Sequence, residues 1–522
     1  MKPESGHDMA TRIFSLSLLL LFAFAASGQS AADAGSIRGL LHNEDCTDFF
    51  FHRPIPPGKS AETLDRYIDV LADAGISALF CNVNARRVNY RSDVWPAFWD
   101  GYDPDGPDDQ PYFLPIPAEQ RKTWRLLVHN MWQVHHEGID YPARVIARCR
   151  QRGISPWISL RMNDVHFNSN LAHPFHDELW RKPEFFRKNH PGYYSRALDY
   201  AHPEVRDHFR KLIAETLQRF DADGLELDFM REPYLFSAGR EKAGAALLTA
   251  WLGEIRELVD QAARRRGHPI RLSVRVPSQP AVAVGLGLDA PAWAKAGLVD
   301  LVVPSPRWRT LQFDIPIKQW RELLGKEVSL AGGLETRYQP ASSGYTRGVT
   351  PEHTAGAALA VWSGGADALY LFNHFQNSHP HWSAEVYQRM LKACGSPEAL
   401  RKLPRLHAVT HREVTIPGEK YRPPLPATGT EHTFNLPLGP SPPSDWTAEA
   451  FISAGDRKLK VSVNGVQGKW SASDGETKLQ KYYFPAGAVS GDGDDAIKVG
   501  SADGEPIRID RVEIRLAPPG VN

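Results

Sequence analysis

The chain has 522 residues, 61 Lys+Arg balanced by 61 Asp+Glu, and a 42% hydrophobic share. The length is enough for two or more domains, and the hydrophobic share is that of a globular protein. Zero net charge excludes a bulk attraction to nucleic acid, so any electrostatic specificity is local. Fourteen Trp are a rich supply for a chain of this size, and aromatic platforms are one use for them.

The first residues read as an export signal. Lys2 and Arg12 precede an apolar run, Ile13–Ala26, and small residues from Ser27 to Ala32 follow it. This order of charged, apolar and small-residue segments predicts a signal peptide over residues 1–31 and a secreted or periplasmic protein. No later run is long and apolar enough to span a membrane, so no integral span is expected after cleavage. Of the four cysteines, Cys46, Cys81, Cys149 and Cys394, none forms a Cys-x-x-Cys pair, which argues against a cysteine zinc site. Cys46 and Cys81 fall near the ends of the first two expected strands; a bridge between them and free buried thiols are both open.

From Ser36 a strand-then-helix rhythm sets in. Ile37–His42 reads as a strand, Ala61–Gly75 as an amphipathic helix stopped by glycine, and Ala78–Val83 as the second strand. A long insertion rich in Pro, Gly and aromatics then runs from Asn84 to about Gly138. Asp140–Arg152 is a helix and Ser155–Leu160 the third strand. Pro203–Phe220 is the clearest helix, with proline in its first turn. It leads to Gly224–Asp228, where Leu225 and Leu227 alternate with Glu226 and Asp228, the period of a strand with both carboxylates on one face. The rhythm continues through strands at Arg271–Val276, Val299–Val303, Glu327–Ala331 and Ala368–Phe372, separated by helices, and ends with a helix at Trp382–Ala393. Eight strand–helix units predict an α/β fold, a (β/α)8 barrel over residues 36–395. A doubly wound sheet would need an early G-x-G-x-x-G loop, and there is none. Beyond Gly395 comes a Pro-rich stretch over residues 396–445, a linker and the start of a β module. Short alternating runs follow, including Lys458–Val463 before an Asn464-Gly465 turn, and predict an all-β, sandwich-like module over residues 446–522.

In such a barrel the active site lies at the C-terminal ends of the strands. The fourth strand delivers Asp228 there, followed by Arg231 and Glu232, and the seventh delivers Glu335. Two carboxyl groups flanking a scissile bond, one protonated and one ionised, are what glycoside hydrolysis requires. Asp228 is the expected nucleophile or base, and Glu335 and Glu232 compete as proton donor. A structural pairing of Asp228 with Arg161 or Arg275 is the alternative. Glu226, one layer deeper, is expected to hold an arginine in place. The remaining strand ends supply Arg86, Arg161, Asn163, Arg275, Arg307, Trp308, Arg337, Asn373 and His374 as candidate substrate contacts. The arginines have two readings: they grip an anionic sugar, uronic or sulfated, through bidentate contacts, or they neutralise the site's own carboxylates. The histidines show no H-E-x-x-H spacing, so neither a metal nor a cofactor is expected. Composition is silent on oligomeric state.

The stretch Asp223-Gly224-Leu225-Glu226-Leu227-Asp228-Phe229-Met230-Arg231 resembles the DG-x-x-x-D-x-x-R strand of the glycosyl-hydrolase-like TIM-barrel proteins of the family 10 type. The resemblance extends over Ile37–Cys394 and includes Gly297–Ser305 and Gly365–Asn373. It implies a secreted glycan hydrolase with the strand-four aspartate in its active site. The chain departs from the retaining barrels that carry an Asn-Glu pair on strand four, since Asp228 stands there. The expectation is therefore a glycoside hydrolase of poly- or oligosaccharides. A non-catalytic glycan-binding barrel, or a polysaccharide lyase using Tyr234 or His374 as base, are the alternatives.

Overall fold

A computed structural model describes residues 37–520 apart from 190–191, 475–477 and 492, and the side chains of Cys46, Thr47 and Asp474 lie outside it. The expected signal peptide and the Cys46 thiol, and with it the suggested bridge to Cys81, thus lie outside the described residues. The described residues form one compact unit.

Eight parallel strands close into a barrel: β1 (Gly39–Glu44), β2 (Ala78–Asn82), β3 (Ser155–Arg161), β4 (Gly224–Asp228), β5 (Arg271–Pro277), β6 (Leu301–Ser305), β7 (Ser329–Leu334) and β8 (Ala368–Phe372). Each neighbours the next in the chain, and β8 closes on β1, with helices following the strands outside. The barrel is filled from within. Leu41, Phe80, Trp157, Val303 and Tyr370 belong to one buried cluster. Gly224 is required there, because a Cβ at this position would lie 2.2 Å from the Trp157 ring. The helix Pro203–Arg219 forms as its proline and periodic Val205, Phe209, Leu212 and Ile213 dictate, and those side chains are buried.

Three elements differ from the sequence reading. The insertion holds a 19-residue helix, Ala118–His136, which starts after Pro117 and buries Leu127, Val128, Met131 and Val134. Its polar and aromatic content hides this apolar stripe in a composition reading. The seventh strand runs to Leu334 rather than stopping at Ala331, since Gly332 and Gly333 are strand residues. A Cβ on Gly332 or Gly333 would strike Val361 or Ser305, so glycine here serves close packing rather than a turn. The alternating run Ile507–Leu516, whose period predicts one strand, is two, Ile507–Ile509 and Arg511–Ala517, which pair in different sheets.

The C-terminal part contains a five-stranded and a four-stranded antiparallel sheet. Ile452, Ile514 and Phe484 of the first and Val461, Val463 and Ile497 of the second belong to one core. The five-stranded sheet takes its edge strand, Arg405–Ala408, from the Pro-rich stretch. It is tied to the barrel side by Tyr338 donating to Glu513 at 2.6 Å and by Arg515 forking onto Glu352 at 2.9 Å. Among the described residues, no helix is long and apolar enough to cross a membrane.

Gly224→Ala forces the Trp157 ring out of its layer. It is expected to lower stability by about 1–3 kcal/mol, the usual cost of overpacking a core, as measured by chemical denaturation.

Candidate active site

Strand register sets the floor of the site. Arg161, Asp228 and Arg275 are direct neighbours on β3, β4 and β5, and Ser159, Glu226 and Ser273 form the layer below. In the lower layer Glu226 is fully buried and accepts from Ser159 Oγ at 2.7 Å and from Tyr370 Oη, on β8, at 2.8 Å. Its carboxyl is therefore held by hydroxyls, not by the arginine expected from the sequence. Burial, then the nearby Asp228, raises its pKa.

In the upper layer Asp228 is 1% exposed. Arg275 grips it with both arms, Nε at 2.8 Å and Nη2 at 3.0 Å. The backbone N–H groups of Met230 and Arg231 donate to the same carboxylate at 2.9 and 3.2 Å. Four donors hold it as an oriented anion. The Arg275 guanidinium lies 3.6 Å from the centroid of Phe372 on β8, so it is packed between a carboxylate and an aromatic face. Of the two arginines expected to pair with Asp228, Arg275 does so. Arg161 turns instead to Asp45 and, at 3.1 Å, to Asp164.

Glu335, just past β7, is in a contrasting place. It is 4% exposed, and none of the described side chains donates a hydrogen bond to its carboxyl. Burial pushes its pKa up to about 8, against the pull of Arg275, Arg231 and Arg307. Glu232 is fully buried and sits on Arg307 at 3.0–3.1 Å. Burial raises it to about 7, against the pull of Arg307 and Arg231. Asp228 is thus the anchored anion, Glu335 the unbonded carboxyl that keeps its proton at neutral pH, and Glu232 the counter-ion of Arg307.

On the β1–β4 side of the mouth a cavity of about 250 Å3 opens, lined by Arg86, Arg161, Arg231, Asp45, Asp164 and His166, with Phe98, Trp124, Phe167 and Phe175 as apolar walls. It reaches Arg161 and Arg231, the neighbours of Asp228, but not the carboxyls of Asp228, Glu232 or Glu335. Asp164 is its hub. It receives Arg86, Arg161 and His166. Burial works to raise its pKa, but His166, Arg86 and Arg161 outweigh that and hold it well below the ordinary value. His166 Nδ1 lies 2.9 Å from Asp164, and Arg231 donates to His166 Nε2 at 3.1 Å, which fixes a neutral imidazole with its proton on Nδ1. Arg231 Nε and Arg86 Nε are buried without a hydrogen-bond partner. Phe167 sits at φ 61°, a left-handed conformation that a bulky residue adopts only under constraint. Its ring stacks on His173 at 4.1 Å and carries Arg86 at 5.4 Å. A larger cavity, about 890 Å3, lies between the barrel helix Pro351–Ser363 and the C-terminal sheet, away from the strand ends.

The other expected contacts divide between rim and scaffold. Trp308 is 47% exposed at the rim, within 6 Å of the Arg309 and Arg337 guanidinium groups. Asn373 follows β8 at φ 55°. His374 is buried, with Nδ1 3.2 Å from His379 Nε2. Asn163 is fully buried and spends its amide on the backbone of Leu198 and Tyr234, which pins two mouth loops. Asp45 and Asp164 stand at the exits of the first and third strands, as chain order predicts, whereas Tyr193 and Trp124 carry no sequence signal that places them at the mouth. Asp164 was visible as a strand-three exit residue, but nothing local marks it as the hub of three strands' cations. Among the described residues no three His, Cys, Asp or Glu side chains gather as a metal site.

No known protein family and no curated protein matches the sequence. Solved structures similar to the chain include the glycoside hydrolase domain of PgaB (BpsB) from Bordetella bronchiseptica, at 11% identity over 68% of this chain and 99% of that one, TM-score 0.38. An alpha-L-fucosidase isoenzyme 2 from Paenibacillus thiaminolyticus matches at 13% identity over 69% and 49%, TM-score 0.40. A maltogenic alpha-amylase, AmyB, from Thermotoga neapolitana matches at 11% over 90% and 97%, TM-score 0.38. At these scores none of the likenesses bears on function.

The buried carboxyls set the alkaline side of stability. Glu44 and Glu335 are raised to about 8 and Glu232 to about 7 by burial, against an ordinary value of 4.5. The folded chain therefore holds more protons than the unfolded one between about 4.5 and 8, and stability falls as pH rises through that window. Buried His42 and His379, lowered to about 4, and His173 and His176, lowered to about 3, act with the opposite slope below 6.5. Melting temperature is expected to peak near pH 6 and fall from about 6.5 to 8. Glu44→Gln should flatten that alkaline fall.

Proposed function

We propose that the protein is an exported glycoside hydrolase acting on an anionic poly- or oligosaccharide. The observation that carries the reading is the contrast between two carboxyls at the ends of β4 and β7. Asp228 is oriented by four N–H donors, while Glu335 is left without any and retains its proton. Hydrolysis of a glycosidic bond needs this pair: an acid to protonate the leaving oxygen and an anion to attack the anomeric carbon or activate water. Asp228 is the anion and Glu335 the proton donor. Glu232, neutralised by Arg307, supports the site's charge balance. The anionic preference is supported by the pocket, where three guanidinium groups face two aspartates and a neutral histidine. Arg231 Nε has no hydrogen-bond partner there and lies 3.9 Å from Asp164, and its charge is felt by Glu335. A carboxylate or sulfate on the sugar would complete that set.

A second reading, a glycan-binding barrel without catalysis, is favoured by one observation: both Asp228 and Glu232 are already engaged by arginines. The lyase reading loses Tyr234 as base, because its hydroxyl both donates to and accepts from the backbone of Thr415 at 3.2 Å.

Incubation with neutral, uronic and sulfated glycans, followed by product analysis, separates these readings: reducing ends for a hydrolase, unsaturated products for a lyase, binding alone for a lectin-like barrel. Glu335→Gln is expected to cut turnover of natural glycans by about 10²–10⁴-fold, the usual contribution of a general acid, and to spare aryl glycosides with good leaving groups. Asp228→Asn should remove turnover of both. The wild-type rate should decline as pH rises through about 8, where Glu335 loses its proton, and an unchanged alkaline limb in Glu335→Gln would contradict the assignment. Arg231→Gln should raise KM for an anionic substrate by about 10–100-fold, the worth of a charge-assisted hydrogen bond, and leave a neutral analogue unaffected.

A further inference from the structure

Residues 409–426 lie between the strands Arg405–Ala408 and Ala427–Gly429 and contain no helix or strand. Unstructured connections longer than about 12–15 residues are uncommon in compact folds and tend to be functional. This one is pinned across the barrel mouth. Val414 is buried with Met230 and Tyr234 after β4 and with Val282 and Leu286 after β5. Thr415 exchanges two hydrogen bonds with the Tyr234 hydroxyl. The Glu413 carboxylate accepts the Arg309 backbone N–H at 2.6 Å and lies 3.3 Å from its Nε, and Gln312 donates to the His411 carbonyl at 3.3 Å. Ile416 packs onto Gly285 so closely that a Cβ there would fall 2.3 Å from its Cδ1.

The consequence is a mouth closed along one arc. Under the strap, between Ser278, Ser305, Arg307 and Glu413, only about 10 Å3 remains, too little for a sugar. Neither a hollow of about 380 Å3 outboard of the strap nor the 250 Å3 pocket is lined by Asp228, Glu232 or Glu335, but the pocket is lined by Arg161 and Arg231, which flank Asp228, and the hollow by neither. On the opposite side the 250 Å3 pocket is walled by Phe98, Trp124, Leu127 and Phe175 of the insertion and the β3 loop. That space is below the several hundred Å3 of an extended ligand site and suits about one sugar. Exposed aromatics on the loops after the barrel strands include Tyr193, 53% exposed, Trp308 and Tyr345.

From this geometry we infer that the protein acts on chain ends. The terminal anionic sugar enters the pocket beneath Trp124, the rest of the glycan leaves past Tyr193 and Trp308, and the 409–426 strap bars a chain from lying across the mouth. The inference rests on the glycosidase reading and adds the mode of attack. Tyr234 and Glu413 are positioning residues that hold the strap.

Two measurements test it on the full chain. Hydrogen exchange reads whether the strap is docked: the Thr415 amide should be protected, and Tyr234→Phe should speed its exchange by about tenfold, the worth of one hydrogen bond. An unprotected Thr415 in the wild type overturns the inference whatever the activity. Digestion of polygalacturonate, hyaluronate and a sulfated galactan reads the mode. The wild type should release one- or two-sugar products with little loss of viscosity, and Glu413→Ala and Tyr234→Phe should shift products to longer fragments. Early viscosity collapse in the wild type would overturn chain-end action and leave the hydrolase reading standing. Absence of turnover on every glycan would remove that reading and this one with it.

Discussion

The structure turns on the Arg275–Asp228 pair. Both groups are inside the barrel, where an unpaired charge would cost several kcal/mol. The bidentate fork between adjacent strands and the Phe372 face at 3.6 Å make that placement tolerable. Once Asp228 is satisfied, its neighbours have defined electrostatic surroundings. Glu226 below faces an anion it cannot also pair with and settles on the hydroxyls of Ser159 and Tyr370. Glu335 across the mouth feels the arginines only at a distance, so burial prevails and it keeps its proton. The acid and the anion are thus separated by their surroundings rather than by residue type, the general way in which two carboxyls take two roles.

A ring of arginines in a chain of zero net charge is accounted for in the same terms. Arg86 and Arg161 are spent largely on Asp164 and Asp45, Arg275 on Asp228, and Arg307 on Glu232. Most of the ring therefore neutralises the site's own carboxylates, which was one of the two readings open from sequence. Arg231 is the exception in kind. Its nearest partner is a neutral histidine, and its distance to Asp164 is 3.9 Å. Among the buried arginines of the ring, Arg231 thus has the loosest hold on a carboxylate and lines the pocket, while Arg337 stands exposed at the rim beside Trp308.

Two segments outside the eight-fold repeat shape the space above that floor. The insertion after β2 contributes Trp124 and Phe98, and its helix is anchored by packing against the short helix Cys46–Phe51. The 409–426 strap closes the opposite arc by burying Val414 among mouth-loop side chains. Neither adds a reacting group. Both convert an open barrel rim, which by itself could accept a chain from several directions, into a bounded one.

The barrel was legible in the sequence because strand and helix periods are local: Gly224–Asp228 and Pro203–Arg219 carry their own patterns, and those patterns survive in the fold. The C-terminal ends of β4 and β7 as the place for Asp228 and Glu335 follow from that rhythm alone. The insertion helix was not legible, because its apolar stripe is diluted by Arg, His and Trp that are satisfied only by tertiary neighbours. The partner of Asp228 was not legible either. Arg161 and Arg275 both flank it in register, and the choice depends on Asp45 and Asp164 drawing Arg161 away, which no spacing encodes. The sequence by itself determined the fold class and the strand-end residues brought to the mouth, since both follow from local periodicity and chain order. Which carboxyl is ionised, which holds a proton and which arc of the mouth stays open were decided only by tertiary structure. Burial, charge pairing and the docking of a distant strap are properties of residues far apart in the chain that meet only when it folds.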